Sequence, residues 1–315
     1  MVCEESLVNV VNKEIQWLWK PFIPVGKVTL IQGDTGMGKT NLLIKVLADL
    51  SHGIYPPTLF RGELQAQEVR DPLLSFYVSI ENGIDDTIAP LFDIMHGDRR
   101  YMRFQNERKG HFILCGEDIR TVAELVEAKV IVIDPWQQFL PEHFSTSNNH
   151  ALRDMICDVQ MAAEETGAAV ILAGNYNKSI AAEIRRGLGG AELNNTLRSV
   201  LSIVPGEDPA TRELHTIKMS FIGKETSPIL IRQTDDYNLV YEQYAGETEK
   251  PSAMEAAEDF LRRALEVAPL DSREVMEQAG MQNISISTLN RAKKRLGVVS
   301  RRQSDKSCVW SIPGI

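Results

Sequence analysis

The sequence predicts an α/β fold, a mostly parallel sheet flanked by helices, with a small α+β domain behind it. Three observations carry the prediction. Short β-branched runs alternate with segments of helical period between residues 28 and 174, the pattern of a parallel sheet with crossover helices. The stretch YAGETEKPSA, 244–253, reads as a linker by composition. The 315 residues are too many for one average domain and suit two. The expected boundaries are 1–243 for the first domain, 244–253 for the linker and 254–315 for the second.

Composition narrows the classes of function. Hydrophobic residues make up 43% and charged residues 24%, enough apolar side chain for a full core. The net charge of −9 excludes nucleic-acid binding driven by bulk charge, so any DNA contact has to come from a local basic patch. Cys3, Cys115, Cys157 and Cys308 are scattered without CxxC or Cys/His spacing. The expectation is reduced thiols in the cytoplasm, with neither a disulfide framework nor a zinc site. The opening MVCEESLVNV lacks a basic segment followed by an apolar one, so no signal peptide is expected. The apolar runs are strand-length, well short of the roughly 20 residues that span a bilayer, and no membrane association is expected.

The first element is KVTLIQGDTGMGKTNLLIKVLADL, 27–50. Residues 28–31 form a short apolar strand. Gly33, Asp34, Thr35, Gly36, Met37, Gly38, Lys39 and Thr40 match G-x-x-x-x-G-K-[ST] and, with Asn41, are the expected nucleotide-binding residues; a helix opens near Lys39, with Leu42, Leu43, Val46 and Leu47 at helical spacing. Glycines let backbone N–H groups converge on phosphate oxygens, and the helix points its positive end at the same anion. Lys39 would reach the β- and γ-phosphates of ATP, and the Thr40 hydroxyl would ligate Mg²⁺.

Next comes SFYVSIENG, 75–83, a strand through residue 80 that delivers Glu81 at its end. Residues 84–96 read as a helix capped by Asp85 or Asp86, with Pro90 confined to its first turn. Residues 111–114 read as a strand, and Asp118 as the cap of a helix through Glu127. In KVIVIDPWQQFL, residues 130–133 are four β-branched residues in a row, a strand buried on both faces. Asp134 ends it and is the expected Mg²⁺-site carboxylate. Pro135 follows, where a water-activating Glu is common in AAA-type ATPases. A solvated loop acid is the ordinary reading of Glu81. Strand ends of a parallel sheet share one rim, however, and there Glu81 would face the phosphate loop and Asp134. The segment 144–150 is polar and expected to be mobile. Residues 151–166 form an amphipathic helix through Leu152, Ile156, Val159 and Ala163, and 168–174 is another buried strand. After a Gly-rich stretch at 180–195, segments 197–204, 214–221 and 228–234 read as strands, some antiparallel.

This series resembles the RecA-like P-loop ATPases, in particular the group related to plasmid RepA-type hexameric replicative helicases. The resemblance runs over residues 15–235. It is carried by WLWKPFIPVGKVTLIQGDTGMGKT, YVSIENGIDDTIAPLF, VIVIDPWQQFL, NNHALRDMICDVQMAAEETGAAVILAGNYNK and RRGLGGAELNNTLRSVLSIV. It implies a DNA-dependent ATPase that assembles as a homo-oligomeric ring, a hexamer in that group. It implies that Glu81 is the catalytic base and that Asn175 senses the γ-phosphate. Arg198, with Lys218 as a second candidate, would complete a neighbour's site. Two positions depart from the group's pattern: Asn82 stands where Asp is usual, and Asn175 where His is common. A surface arginine remains the other reading of Arg198.

Residues 254–315 change character. Helices are expected from Ala256 to Leu265, over DSREVMEQAG behind an Asp271-x-x-Glu274 cap, and over SISTLNRAKKRLGV with Leu289, Ala292 and Leu296 facing inward. A hairpin turning at Ser304-Asp305 completes a winged-helix arrangement. Arg291, Lys293, Lys294, Arg295, Arg301, Arg302 and Lys306 lie on the expected recognition helix and wing, against the single acid Asp305. DNA binding is one expectation for such a cluster and a solvated face of a protein-interaction domain the other. For the whole chain the readings are an ATP-driven helicase or translocase, an ATP-gated DNA-binding switch acting as initiator, loader or regulator, and, less well supported, a metabolic kinase.

Overall fold

A short antiparallel pair, β1 (Trp17–Trp19) and β2 (Ile23–Pro24), leads into β3 (Val28–Gly33) and α1 (Lys39–Ser51) in a computed structural model of the chain. The structure describes residues 12, 14–105, 110–142, 144, 149–175, 196–221, 227–244, 253–265, 269–281, 284–302 and 308–311. The chain divides into two compact units, Met1–Tyr244 and Ala245–Ile315.

In the first unit a small pair, β4 (Leu59–Phe60) and β5 (Glu63–Leu64), precedes β6 (Ser75–Val78). A π-helical turn, Ile84–Ile88, runs into α2 (Ala89–Ile94), and β7 (Met102–Phe104) follows. Then come α3 (Gly116–Leu125), β8 (Val130–Ile133), a 3-10 turn at Trp136–Phe139, α4 (Asn149–Thr166) and β9 (Ala169–Asn175). The unit ends with β10 (Ser199–Pro205), β11 (Thr211–Met219), β12 (Ile229–Gln233) and β13 (Leu239–Gln243). Among the described residues these build a nine-stranded sheet in the order β13-β12-β11-β10-β3-β9-β8-β6-β7. Pairing is parallel from β10 to β7 and antiparallel from β10 to β13.

Period-two alternation divides the core between the two faces of the sheet. Val130, Val132, Ile171 and Ile31 pack with Leu43, Val46 and Leu47 of α1 and Phe92 of α2. Ile131, Ile133, Val170 and Leu30 pack with Ile119 and Val122 of α3 and with Ile156 and Val159 of α4. Full burial of a Val or Ile is worth about 1.5–3 kcal/mol, so strands sandwiched on both faces become unbroken runs such as VIVI.

Four local expectations are corrected. Residues 111–114 form no strand. Phe112 and Leu114 are buried, but the backbone N–H of Leu114 donates to Phe139 O (2.7 Å) and that of Ile113 to Asp118 Oδ2 (2.7 Å), while β7 pairs with β6 at that side of the sheet. Asp118 is therefore not the helix cap; Cys115 holds that position, and the helix ends at Leu125, short of Glu127. Neither Asp85 nor Asp86 caps the next helix, whose N-cap is Gly83; both acids lie in its first turn, where the helix dipole favours them. β6 stops at Val78, and Ile80 is 55% exposed, because the chain turns there toward the sheet's C-terminal rim. Most of 144–150 and all of 180–195 lie outside the described residues.

The second unit consists of α5 (Ala253–Ala264), β14 (Leu270–Asp271), α6 (Ser272–Met281), α7 (Ile286–Arg295), β15 (Val299–Arg302) and β16 (Cys308–Ser311). Its strands pair in the order β14-β16-β15, all antiparallel. Phe260, Leu261, Val275, Leu289, Ala292 and Trp310 form its own core. The Ser285 hydroxyl accepts from Thr288 N–H and caps α7, and the Asp271 carboxylate accepts from Arg273 N–H at the start of α6. The turn at 304–305 lies outside the described residues.

Candidate active site

Strand register brings the site together. Gly33 lies opposite Asn175, Ile133 opposite Leu172 and Val78 opposite Ile133. The phosphate loop, Asn175, Asp134 and the turn carrying Glu81 therefore leave the sheet at one rim, around a cavity of about 350 Å³. Thr35, Gly36, Gly38, Thr40, Asn41 and Asn82 also line it.

The loop has the conformation that its glycines allow. Gly36 and Gly38 have φ of 82° and 81°, and a Cβ added at either would meet nothing within 4 Å. The requirement at those two positions is thus backbone conformation, not space. Gly33 differs: a Cβ there would lie 2.6 Å from Ile203 Cγ2, so glycine is needed for packing. Met37 packs onto the core, and Asp34 is exposed.

Lys39 is buried, and its ammonium donates to Gly33 O (2.9 Å), Asp34 O (2.9 Å) and Asn175 Oδ1 (2.8 Å). Burial lowers its pKa, while Asp134, Asp34 and Glu81 act in the opposite direction. Asp134, 5% exposed, accepts two bonds on the same oxygen: Thr40 Oγ1 to Oδ2 at 2.6 Å and Tyr77 OH to Oδ2 at 2.6 Å. Burial, reinforced by the Asp134 charge, pushes the Tyr77 phenol well above its ordinary range, so it remains a donor. Glu81 is exposed at the rim, and its Oε1 lies 3.4 Å from Gln138 Nε2. Tyr77 and Gln138 were not legible as site residues. One reads as a core strand aromatic and the other as a turn residue, and only their partners reveal them.

The donor set fits a nucleoside triphosphate with its cation. A glycine-rich loop at a helix N-terminus, with a buried lysine beside it, suits phosphate oxygens. A hydroxyl beside a carboxylate suits a hard divalent ion such as Mg²⁺.

Arg198 and Lys218 are not brought to this rim. Ser199 lies opposite Thr29 near the start of the parallel β3, so Arg198 emerges at the opposite end of the sheet from the loop of its own chain. Lys218 lies opposite Val200. Burial lowers the Lys218 pKa, and the Arg198 charge lowers it further.

In the second unit Arg291, Lys294 and Arg295 are exposed on α7 at i, i+3 and i+4, opposite Leu289 and Ala292. Lys293 is directed inward: its ammonium lies 3.9 Å from the Trp310 ring centroid and 3.2 Å from Ser300 Oγ. Arg295 pairs with Glu258 at 3.3 Å, and Arg301 is exposed on β15. The Arg302 side chain and Lys306 lie outside the described residues.

The phosphate loop, the Thr40–Asp134 pair and the parallel sheet that carries them define a P-loop ATPase. The chain belongs to the AAA domain family, whose profile matches residues 4–179, more than half its length. Among solved structures it is similar to a KaiC-like protein from Pyrococcus horikoshii OT3, with 15% identity, a TM-score of 0.48, and coverage of 70% of this chain and 91% of that one. It is also similar to the flagellar accessory protein FlaH from Methanocaldococcus jannaschii, with 12% identity, a TM-score of 0.46 and coverage of 70% and 91%. No curated protein is similar enough to match. No helix among the described residues is long and apolar enough to cross a membrane. Cys115, Cys157 and Cys308 are free thiols, and the described residues contain no group of three or more metal-ligating side chains.

Proposed function

We propose that the chain is a DNA-dependent ATPase, a RepA-like helicase or translocase acting as a homo-oligomeric ring, a hexamer, in the replication or maintenance of DNA. One observation carries the reading: a rim lined by the phosphate loop, Glu81 and Asp134 in the first unit is joined in the same chain to a second unit with an exposed basic ridge at Arg291, Lys294 and Arg295. Lys39 and the loop N–H groups bind the β- and γ-phosphates. Thr40 and Asp134 would hold Mg²⁺, which neutralises phosphate charge during transfer. Glu81 orients the attacking water and takes its proton as the water oxygen bonds to the γ-phosphorus and ADP leaves. Asn175, released when Lys39 turns to the phosphates, hydrogen-bonds the γ-phosphate. Arg198 and Lys218, remote from their own site, serve a neighbour's, and that remoteness supports a ring. The second unit acts as a winged helix on DNA through Arg291, Lys294, Arg295, Arg301, Arg302 and Lys306. Lys293 is committed to packing on Trp310. The test is ATP- and Mg²⁺-dependent strand displacement by the assembled protein, with Lys39→Ala as control. An assembled wild-type ring that neither unwinds nor translocates ends the motor reading.

A second reading is favoured by the grip of Asn175 on Lys39. With the lysine held by Asn175 and two loop carbonyls, nucleotide binding rearranges the rim, as an ATP-gated DNA-binding switch requires. Slow DNA-stimulated turnover together with nucleotide-dependent duplex binding would identify the switch.

A further inference from the structure

We propose that Tyr77 is a positioning residue of the cation site, and that its phenol, by holding Asp134, sets the geometry of both Asp134 and Thr40. The proposal rests on the ATPase class and is independent of the DNA reading.

Tyr77 lies in β6 opposite Val132 of β8, two residues before Asp134, on the sheet face covered by α1. Its side chain is 0% exposed, and its hydroxyl donates to Asp134 Oδ2 at 2.6 Å. A buried phenol needs a partner, and a buried carboxylate needs donors, so each group satisfies the other. Thr40 Oγ1 meets the same oxygen at 2.6 Å. A threonine hydroxyl has one proton and two lone pairs. With that proton committed to Asp134, its lone pairs are left for a cation. The direction of the Thr40 oxygen therefore depends on where Asp134 stands, and Tyr77 holds Asp134 from inside the core. Without the phenol, the carboxylate is held, among the described residues, by the Thr40 hydroxyl at the rim. Groups that orient metal ligands in this way typically matter ten- to a hundredfold in metal affinity.

The test compares wild type, Tyr77→Phe and Tyr77→Leu as full-length protein. Mn²⁺ binding to the ADP-loaded protein is followed by electron paramagnetic resonance, and ADP binding is measured in EDTA. The rise in melting temperature from ADP with EDTA to ADP with Mn²⁺ separates cation affinity from basal stability. Tyr77→Phe is expected to weaken Mn²⁺ about tenfold or more, to bind ADP in EDTA within twofold of wild type, and to lose most of the Mn²⁺-dependent rise in melting temperature. A Phe variant with a wild-type Mn²⁺ midpoint, alongside a destabilised Leu variant, would show that Tyr77 only packs and would overturn the proposal. Equal weakening of ADP with and without the cation would overturn it as well. Failure of the wild type to bind ADP would instead count against the ATPase class.

Discussion

Lys39 donates to two loop carbonyls and to Asn175, and phosphate oxygens would compete with these acceptors for the ammonium. Removing the Asn175 amide raises the free energy of that arrangement while leaving the loop intact. Asn175→Ala should therefore bind ADP a few-fold more tightly, about 0.5–1 kcal/mol, while hydrolysis falls. Calorimetric titration alongside a turnover assay checks both signs; weaker ADP binding would show that Asn175 does not compete for the lysine. Glu81 faces the opposite demand. It is exposed, and Gln138, an uncharged amide donating at 3.4 Å, leaves the carboxylate open to water. Glu81→Gln is expected to bind ATP normally and to lose roughly 10²–10⁴-fold in hydrolysis. Turnover within a few-fold of wild type would remove Glu81 from the role of base.

At the scale of elements, the turn Trp136–Phe139 links the two acids of the rim. It follows Asp134, carries Gln138 to Glu81, and packs on β9 at Gly174. A Cβ at Gly174 would lie 2.7 Å from Trp136 Nε1 and 2.9 Å from Gln137 Nε2. Gly174→Ala should overpack this contact by about 1–3 kcal/mol, lower the melting temperature and reduce hydrolysis by displacing the turn. A neutral Gly174→Ala would mean that the turn is not anchored there. In α7 the neighbours Lys293 and Lys294 differ in kind. Lys293→Ala removes a cation–π contact, worth about 0.5–2 kcal/mol, and should destabilise the second unit. Lys294→Ala should leave melting unchanged, weaken duplex binding and reduce its salt dependence. Fluorescence anisotropy across a salt series, with melting curves, separates the two.

For the whole molecule, the position of Arg198 decides how a site could be completed. It lies at the end of the sheet away from the phosphate loop, so a single chain cannot bring the two together without breaking the β10–β3 ladder. Arg198→Ala alone and Glu81→Gln alone should each be nearly inactive. Mixed in one assembly, they should regain activity wherever a wild-type Glu81 faces a wild-type Arg198. Absence of complementation in mixed assemblies would confine the site to one subunit.

The phosphate loop, the buried strands and the order of helices were legible because their causes are local. Glycine sterics, β-branched runs and helical period act within a few residues. The strand at 111–114 was misread because Phe112 and Leu114 alternate as a strand would, and only the partners available to their backbone decide whether a ladder forms. The same limit applies at the site. The sequence by itself determined which groups stand at the loop and at the ends of two strands. The tertiary structure decided that Tyr77 meets Asp134 across 57 positions, that Lys39 meets Asn175 across 136, and that Lys293 turns inward while Lys294 stays in water. Those outcomes depend on strand order and on packing between distant segments, and no periodicity within a segment encodes either.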